Sequence, residues 1–139
     1  MKLFHRLALA LAFLSLTFAP LAARAQVSPM VGASVTYGIN VATATTTEIV
    51  PLTANKVIYV SFVHVESAGT GNVTFVYGSG TNCGTGTTSI GGAISLTAQT
   101  GFVGSAGLGP VIAVPVGKAL CLTTTAAVQI SGWLTAAPF

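Results

Sequence analysis

The chain has 139 residues, of which 52% are hydrophobic and 5% carry a charge. Its formal net charge of +3 comes from the first 25 residues, where Lys2, Arg6 and Arg24 lie. The rest of the sequence balances Lys56 and Lys118 against two glutamates and contains no arginine or aspartate. This near-zero charge excludes the basic patches that bind phosphates, so we expect no nucleic-acid partner.

The first 25 residues have the three parts of a secretory signal peptide. A basic start is followed by an apolar run at 7–18, which predicts a signal helix, and by Ala-Arg-Ala at 23–25. The apolar run is shorter than the ~20 residues that a membrane-spanning helix needs. We therefore predict cleavage between Ala25 and Gln26, with membrane contact only during export. The product, 26–139, would be periplasmic, extracellular or particle-associated.

The residues after the signal predict an all-β chain, because Val, Ile, Thr, Tyr and Phe dominate and helix start signals are absent. Their number fits one domain, 26–139. About eight short strands separated by Gly- and Thr-rich turns are typical of a single antiparallel β-sandwich or jelly-roll-like domain. The predicted strands are 34–37, 40–50, 56–66, 72–77, 93–97, 110–116, 119–124 and 127–134.

The residue pattern also predicts which strands pair and on which side of the sheet their side chains lie. The short connection 67–71 favours an antiparallel hairpin between the strands at 56–66 and 72–77. The glycines at 78–86 and 101–109 predict loops. Strict alternation in 56–66 places apolar residues on both sides, as in a central strand covered on each face. One side would carry Ile58, Val60 and Phe62, and the other Val57, Tyr59, Val63 and Val65.

The chain contains two cysteines, Cys83 and Cys121. An even number in an exported chain predicts one disulfide bond. A metal site would need more ligands than two distant cysteines and one histidine supply, and redox pairs usually have the spacing C-x-x-C. We therefore predict a structural disulfide, no metal and no cofactor.

His64 and Glu66 are two residues apart on a predicted strand, so their side chains share a face. Such a pair could activate a serine or threonine hydroxyl, as in a secreted hydrolase. The sequence contains no G-x-S-x-G motif, and no second carboxylate lies near for glycosidase chemistry. The pair is better interpreted as the polar end of a strand, and no catalytic residue is assigned.

From Asn72 onward, short motifs follow one another in a characteristic order. They are VYGSGTNCGTGT (76–87), IGG (90–92), LTA (96–98), GLGPV (107–111), GKALC (117–121) and AAVQISG (126–132). This order, over 58–139, resembles small, uncharacterised β-sandwich proteins encoded by tailed bacteriophages and prophages. The resemblance implies a phage-derived β-domain that is exported or virion-associated.

Together these features predict a non-enzymatic structural or surface-binding protein with an adhesive or decorating role. Its low charge and Thr/Gly-rich surface favour self-association or contact with another surface or virion protein, and a glycan or other cell-surface target is an option. The alternative is a fimbrial or pilus-type secreted subunit that assembles by strand complementation. Against it, both cysteines lie late in the chain and 133–139 does not form a clear edge for a donated strand.

Overall fold

The computed structural model describes residues 34–107 and 109–139. Ala25 and Gln26, the predicted cleavage site, lie outside these residues. In the described part, no helix is both long and apolar enough to cross a membrane. A 3-10 turn, Thr81–Cys83, follows the fourth of ten strands. The strands are β1 (Val35–Val41), β2 (Thr46–Val50), β3 (Ile58–Ser67), β4 (Gly71–Ser79), β5 (Thr85–Ser89), β6 (Ile94–Leu96), β7 (Thr100–Ser105), β8 (Ile112–Val114), β9 (Ala119–Thr124) and β10 (Ile130–Pro138).

The strands form two antiparallel sheets. Sheet A has the order β1-β10-β3-β7, and β8 continues the edge of β7 along β3. Sheet B has the order β2-β9-β4-β5, and β6 shares the edge of β5 along β4. Because two short strands share one edge in each sheet, the ten strands occupy eight positions in the nested order of a jelly roll. The predicted antiparallel jelly-roll-like sandwich is confirmed.

One apolar core fills the space between the sheets. Its largest fully buried side chains come from strands of both sheets, since β3 and β10 lie in sheet A and β9 in sheet B. Burial of each such side chain contributes about 1.5–3 kcal/mol, so this core is the main source of stability. These side chains are Ile58, Leu120, Leu122, Ile130 and Leu134.

β3 contains a β-bulge at Ser61, which changes the side of the sheet on which the following side chains lie. β10 pairs Thr135 with Phe62 and its next residue with Val60, so Ser61 has no partner of its own. The Ser61 hydroxyl donates a hydrogen bond of 3.3 Å to the carbonyl of Thr135. Val60 and Val63 therefore both face the core, whereas Phe62 faces outward. The predicted strict alternation, with Val60 and Phe62 on one side, was wrong because one extra residue interrupts it.

The predicted hairpin between β3 and β4 was also wrong, because the two strands lie in different sheets. The connection 67–71 crosses from sheet A to sheet B. Within it, the Ser67 hydroxyl donates a 2.6 Å hydrogen bond to the carbonyl of Gly69. A Cβ on Gly69 would lie 2.7 Å from Cγ1 of Val128, which shows how tightly the β9–β10 connection packs on it. A five-residue connection can thus bridge the sheets as well as reverse within one.

Part of the segment 101–109 that was predicted as a loop is strand β7, paired with β3. A Cβ on Gly101 would lie 2.8 Å from the carbonyl oxygen of Val65, and one on Gly104 would lie 3.0 Å from Cγ1 of Val63. These glycines therefore allow β7 to approach β3 closely rather than marking a turn.

Other strand boundaries differ from the predicted ones in segments of small residues, whose pattern does not distinguish strands from turns. β1 runs without a break through Gly38, whereas residues 42–45 of the predicted strand 40–50 form a bend between β1 and β2. The predicted loop 78–86 contains the 3-10 turn and the start of β5, whose residues are all exposed. The strand at 119–124 matches its prediction.

Candidate functional site

The predicted disulfide between Cys83 and Cys121 is confirmed, with the two Cα atoms 6.3 Å apart. It joins the 3-10 turn to β9 on the outer face of sheet B. Both cysteines are fully buried and form a small cluster with Val76 and Ala119. The bond is consistent with an oxidising compartment of the kind that exported proteins reach. It is structural, because no sulfur is exposed to react.

Hydrogen bonds hold the 3-10 turn against sheet B. Asn82 has a left-handed backbone, with φ of 51°. Its side-chain oxygen accepts a hydrogen bond of 3.1 Å from the backbone N–H of Glu48 in β2. The Thr87 hydroxyl donates to the carbonyl of Cys83. The turn and the disulfide therefore cover the part of the outer face of sheet B that contains Val76, Ala119 and Cys121.

Gly78 in β4 lies directly under the turn. A Cβ at this position would lie 2.6 Å from the carbonyl oxygen of Cys83 and 2.8 Å from its Cβ. We therefore expect Gly78→Ala to push the turn away from β9 and to slow oxidation of the cysteines. Thiol alkylation followed by mass spectrometry should find more reduced protein during refolding than in the wild type. Gly91→Ala is the control, since a Cβ there meets nothing within 4 Å, and equal oxidation of both variants would contradict this account.

The outer face of sheet A carries a different set of side chains. β1, β10, β3 and β7 align there in three rows, and no described segment covers the central row. We call these rows the aromatic face. They are Thr36, Thr135, Phe62 and Ser105; Gly38, Trp133, His64 and Val103; and Asn40, Ser131, Glu66 and Gly101.

Trp133 is at the centre of the aromatic face and is 45% exposed. Its ring centroid lies 4.4 Å from that of His64 and 6.2 Å from that of Phe62, at interplanar angles of 47° and 25°. Beyond His64, Val103 is 59% exposed. An exposed tryptophan that packs against neighbouring rings in this way is typical of binding surfaces, where aromatic side chains supply much of the contact area.

The sequence correctly placed His64 and Glu66 on one face. Nε2 of His64 lies 3.1 Å from Oε1 of Glu66, and the two side chains are 17% and 61% exposed. Nδ1 of His64 is buried and makes no hydrogen bond within the described residues. Neither ring nitrogen is therefore bonded to a serine or threonine hydroxyl, as nucleophile activation would require. The pair orients the imidazole against Trp133 instead.

An apolar cleft of about 220 Å³ opens between the sheets at the edge formed by β5, β6, β7 and β8. No polar side chain lines it, whereas specific small-molecule sites usually combine apolar walls with a few polar groups. In the two described ranges, no group of three or more His, Cys, Asp or Glu residues could hold a metal ion. The aromatic face therefore offers richer chemistry than the cleft, whose lining is Val63, Phe75, Ile90, Gly91, Gly92, Ile94, Phe102, Val111 and Ile112.

Sequence reasoning did not identify Trp133, Phe62 or Val103 as site residues. Trp133 was placed in a predicted strand, but its neighbours depend on pairings between strands that are distant in the chain. The available signal was a lone tryptophan in an otherwise small-residue strand. Comparison of the chain with protein-family models, with curated proteins and with solved structures finds no match.

Proposed function

We propose that this protein is an exported, non-enzymatic binding domain that attaches to a cell or virion surface through the aromatic face. The observation that carries the proposal is Trp133, which is 45% exposed at the centre of the aromatic face. A phage or prophage origin is part of the proposal and depends on the resemblance of 58–139. The disulfide between Cys83 and Cys121 lies on the opposite side of the sandwich, where it stabilises the domain and leaves the outer face of sheet A available for contact.

The jelly roll favours this proposal over a pilus-type subunit. Strand complementation requires a sheet that lacks a strand until a neighbour donates one. Here all eight positions are occupied by strands of the described chain, and the core side chains are fully buried. Strand complementation would instead predict an exposed groove along the length of the sandwich.

The aromatic face also supports binding rather than hydrolysis. The imidazole of His64 packs at a tilt against Trp133 and is directed at a carboxylate, not at a hydroxyl. Without an activated hydroxyl, no acyl-enzyme can form through this pair. Glycosidase chemistry would need a second carboxyl group, and the three rows of the aromatic face contain only Glu66. The minor alternative, a secreted hydrolase that uses His64 and Glu66, has less support.

Trp133→Ala tests the proposal. The full-length chain should be expressed, collected after export and weighed by intact mass spectrometry, which also reports the Ala25/Gln26 cleavage. Binding to phage particles and host cells is then measured by co-sedimentation. We expect Trp133→Ala to weaken binding about 30-fold, the effect of losing an interface anchor worth about 2 kcal/mol.

Leu52→Ala is the matched control for this experiment. Leu52 is 44% exposed, close to the value for Trp133, but it lies outside the aromatic face. This variant should bind like the wild type. Wild-type protein that binds neither particles nor cells, or a Trp133→Ala variant that binds normally, would refute the proposal.

A further inference from the structure

We infer that the aromatic face binds neutral carbohydrate, with a sugar ring stacked on Trp133. This inference depends on the proposed function, because it names the ligand class of the same face. It follows from four properties of that face: its area, its chemistry, its charge and an open space beside the tryptophan.

The area of the face suits a small ligand better than a protein. The face is four strands wide, with about 4.8 Å between strands, and its three rows span about 14 Å along the strand direction. Its area is therefore roughly 250 Å². A stable protein–protein interface buries about 800 Å² on each partner. A short oligosaccharide fits the smaller area, whereas a globular protein would have to bury much surface outside the aromatic face.

The chemistry of the face matches the two sides of a sugar ring. The negative face of an aromatic ring attracts positively polarised C–H groups, which one side of a pyranose ring presents. Around Trp133 the face carries hydroxyl, amide and carboxylate groups that can hydrogen-bond to the sugar hydroxyls. These are Thr36, Thr135, Asn40, Ser131 and Glu66.

The charge of the face excludes anionic ligands. None of the three rows contains a lysine or arginine. Glu66 is 61% exposed and would repel sulfate, phosphate or sialic acid. His64 lies beside this carboxylate and can donate a hydrogen bond to it, which holds the carboxylate in position as an acceptor. A neutral ligand rich in hydroxyl groups is therefore favoured over a nucleic acid or an acidic glycan.

Gly38 leaves space on the other side of Trp133. It pairs with Trp133 across the β1–β10 ladder, and a Cβ on Gly38 would meet no atom within 4 Å. The tryptophan is thus confined by His64 on one flank and open on the other. A side chain at this position would occupy the space beside the ring without disturbing the packing of the sheet.

The sequence supplies its own probe, because Trp133 is its only tryptophan. Intrinsic fluorescence, excited selectively for tryptophan, therefore reports on the aromatic face alone. A printed array of neutral and acidic glycans would first identify candidates, and the best neutral glycan would then be titrated as a soluble oligosaccharide. We expect a saturable blue shift and protection of the tryptophan from quenching by acrylamide.

Gly38→Val should weaken binding of that oligosaccharide at least tenfold, while the protein stays folded with an unchanged thermal midpoint. Glu66→Gln should weaken it less and should not create affinity for acidic glycans. Leu52→Ala should bind like the wild type. Retained affinity in Gly38→Val, or binding only to acidic glycans, would overturn the inference.

Periodate treatment of the particles or cells separates this inference from the proposed function. If binding depends on Trp133 and is lost after periodate oxidation, the proposed function and the carbohydrate inference are both supported. If it depends on Trp133 but survives oxidation, and no neutral glycan binds on the array, the ligand is a protein and the carbohydrate inference fails alone. If no binding depends on Trp133, both fail.

Discussion

Replacing both Cys83 and Cys121 by alanine is expected to lower the free energy of unfolding by about 4 kcal/mol. The two residues are separated by 38 positions, so the bond removes much of the loop-closure entropy of the unfolded chain. Small domains have a total stability of about 5–15 kcal/mol, so this loss is a large part of the whole. Urea unfolding followed by circular dichroism measures it, and reduction of the wild type should give a similar loss.

Val76→Ala separates the effect of the bridge from that of packing. Val76 belongs to the same buried cluster as the cysteines, so its truncation removes apolar contacts while the disulfide stays closed. The double cysteine variant should lose clearly more stability than Val76→Ala. A smaller or equal loss would mean that the cluster, and not the covalent link, stabilises this side of sheet B.

Gly132→Ala is expected to destabilise the protein by at least about 3 kcal/mol. Gly132 has φ of 145°, a conformation that other residues rarely adopt, and a Cβ there would lie 2.1 Å from the carbonyl oxygen of His64. β10 is a central strand, so it would have to separate from β3. Thermal unfolding should show a lower midpoint, and the fluorescence of Trp133, the next residue, should shift to longer wavelength.

Gly38→Ala is the control for this prediction, because a Cβ there meets nothing within 4 Å. Its free energy of unfolding should stay within about 0.5 kcal/mol of the wild type. The comparison tests whether glycine at 132 is required by the β10–β3 contact or is a general preference of sheet A. Equal stability of the two variants would show that the contact between Gly132 and the His64 carbonyl does not require glycine.

The sequence predicted the fold class well because residue composition and the spacing of turn residues depend on the average environment of the side chains. It predicted the partners of individual strands poorly. Gly101 and Gly104 were interpreted as loop residues, although they lie in β7, where the close approach of β3 leaves no room for a side chain. The same residue type marks a turn in one place and a tight strand contact in another, and only tertiary packing distinguishes the two.

The candidate site was less predictable than the fold. The facing of His64 and Glu66 follows from local alternation, which is why that prediction was confirmed. The same alternation places Phe62 on this face, whereas the facing of Val60 depends on the bulge at Ser61, which no local pattern marks. The position of His64 beside Trp133 depends on the pairing of β3 with β10, two strands separated by most of the domain.

The position of the disulfide has a consequence for resistance to proteolysis. Residues 91–93 and 106–107 are exposed parts of the connections at the edge where the apolar cleft opens, and both segments lie between Cys83 and Cys121. Exposed connections of this kind are the usual sites of proteolytic cutting. A protease that cuts once in either connection would leave two fragments that are still joined through sulfur. The nicked molecule would therefore keep both sheets together, and with them the aromatic face.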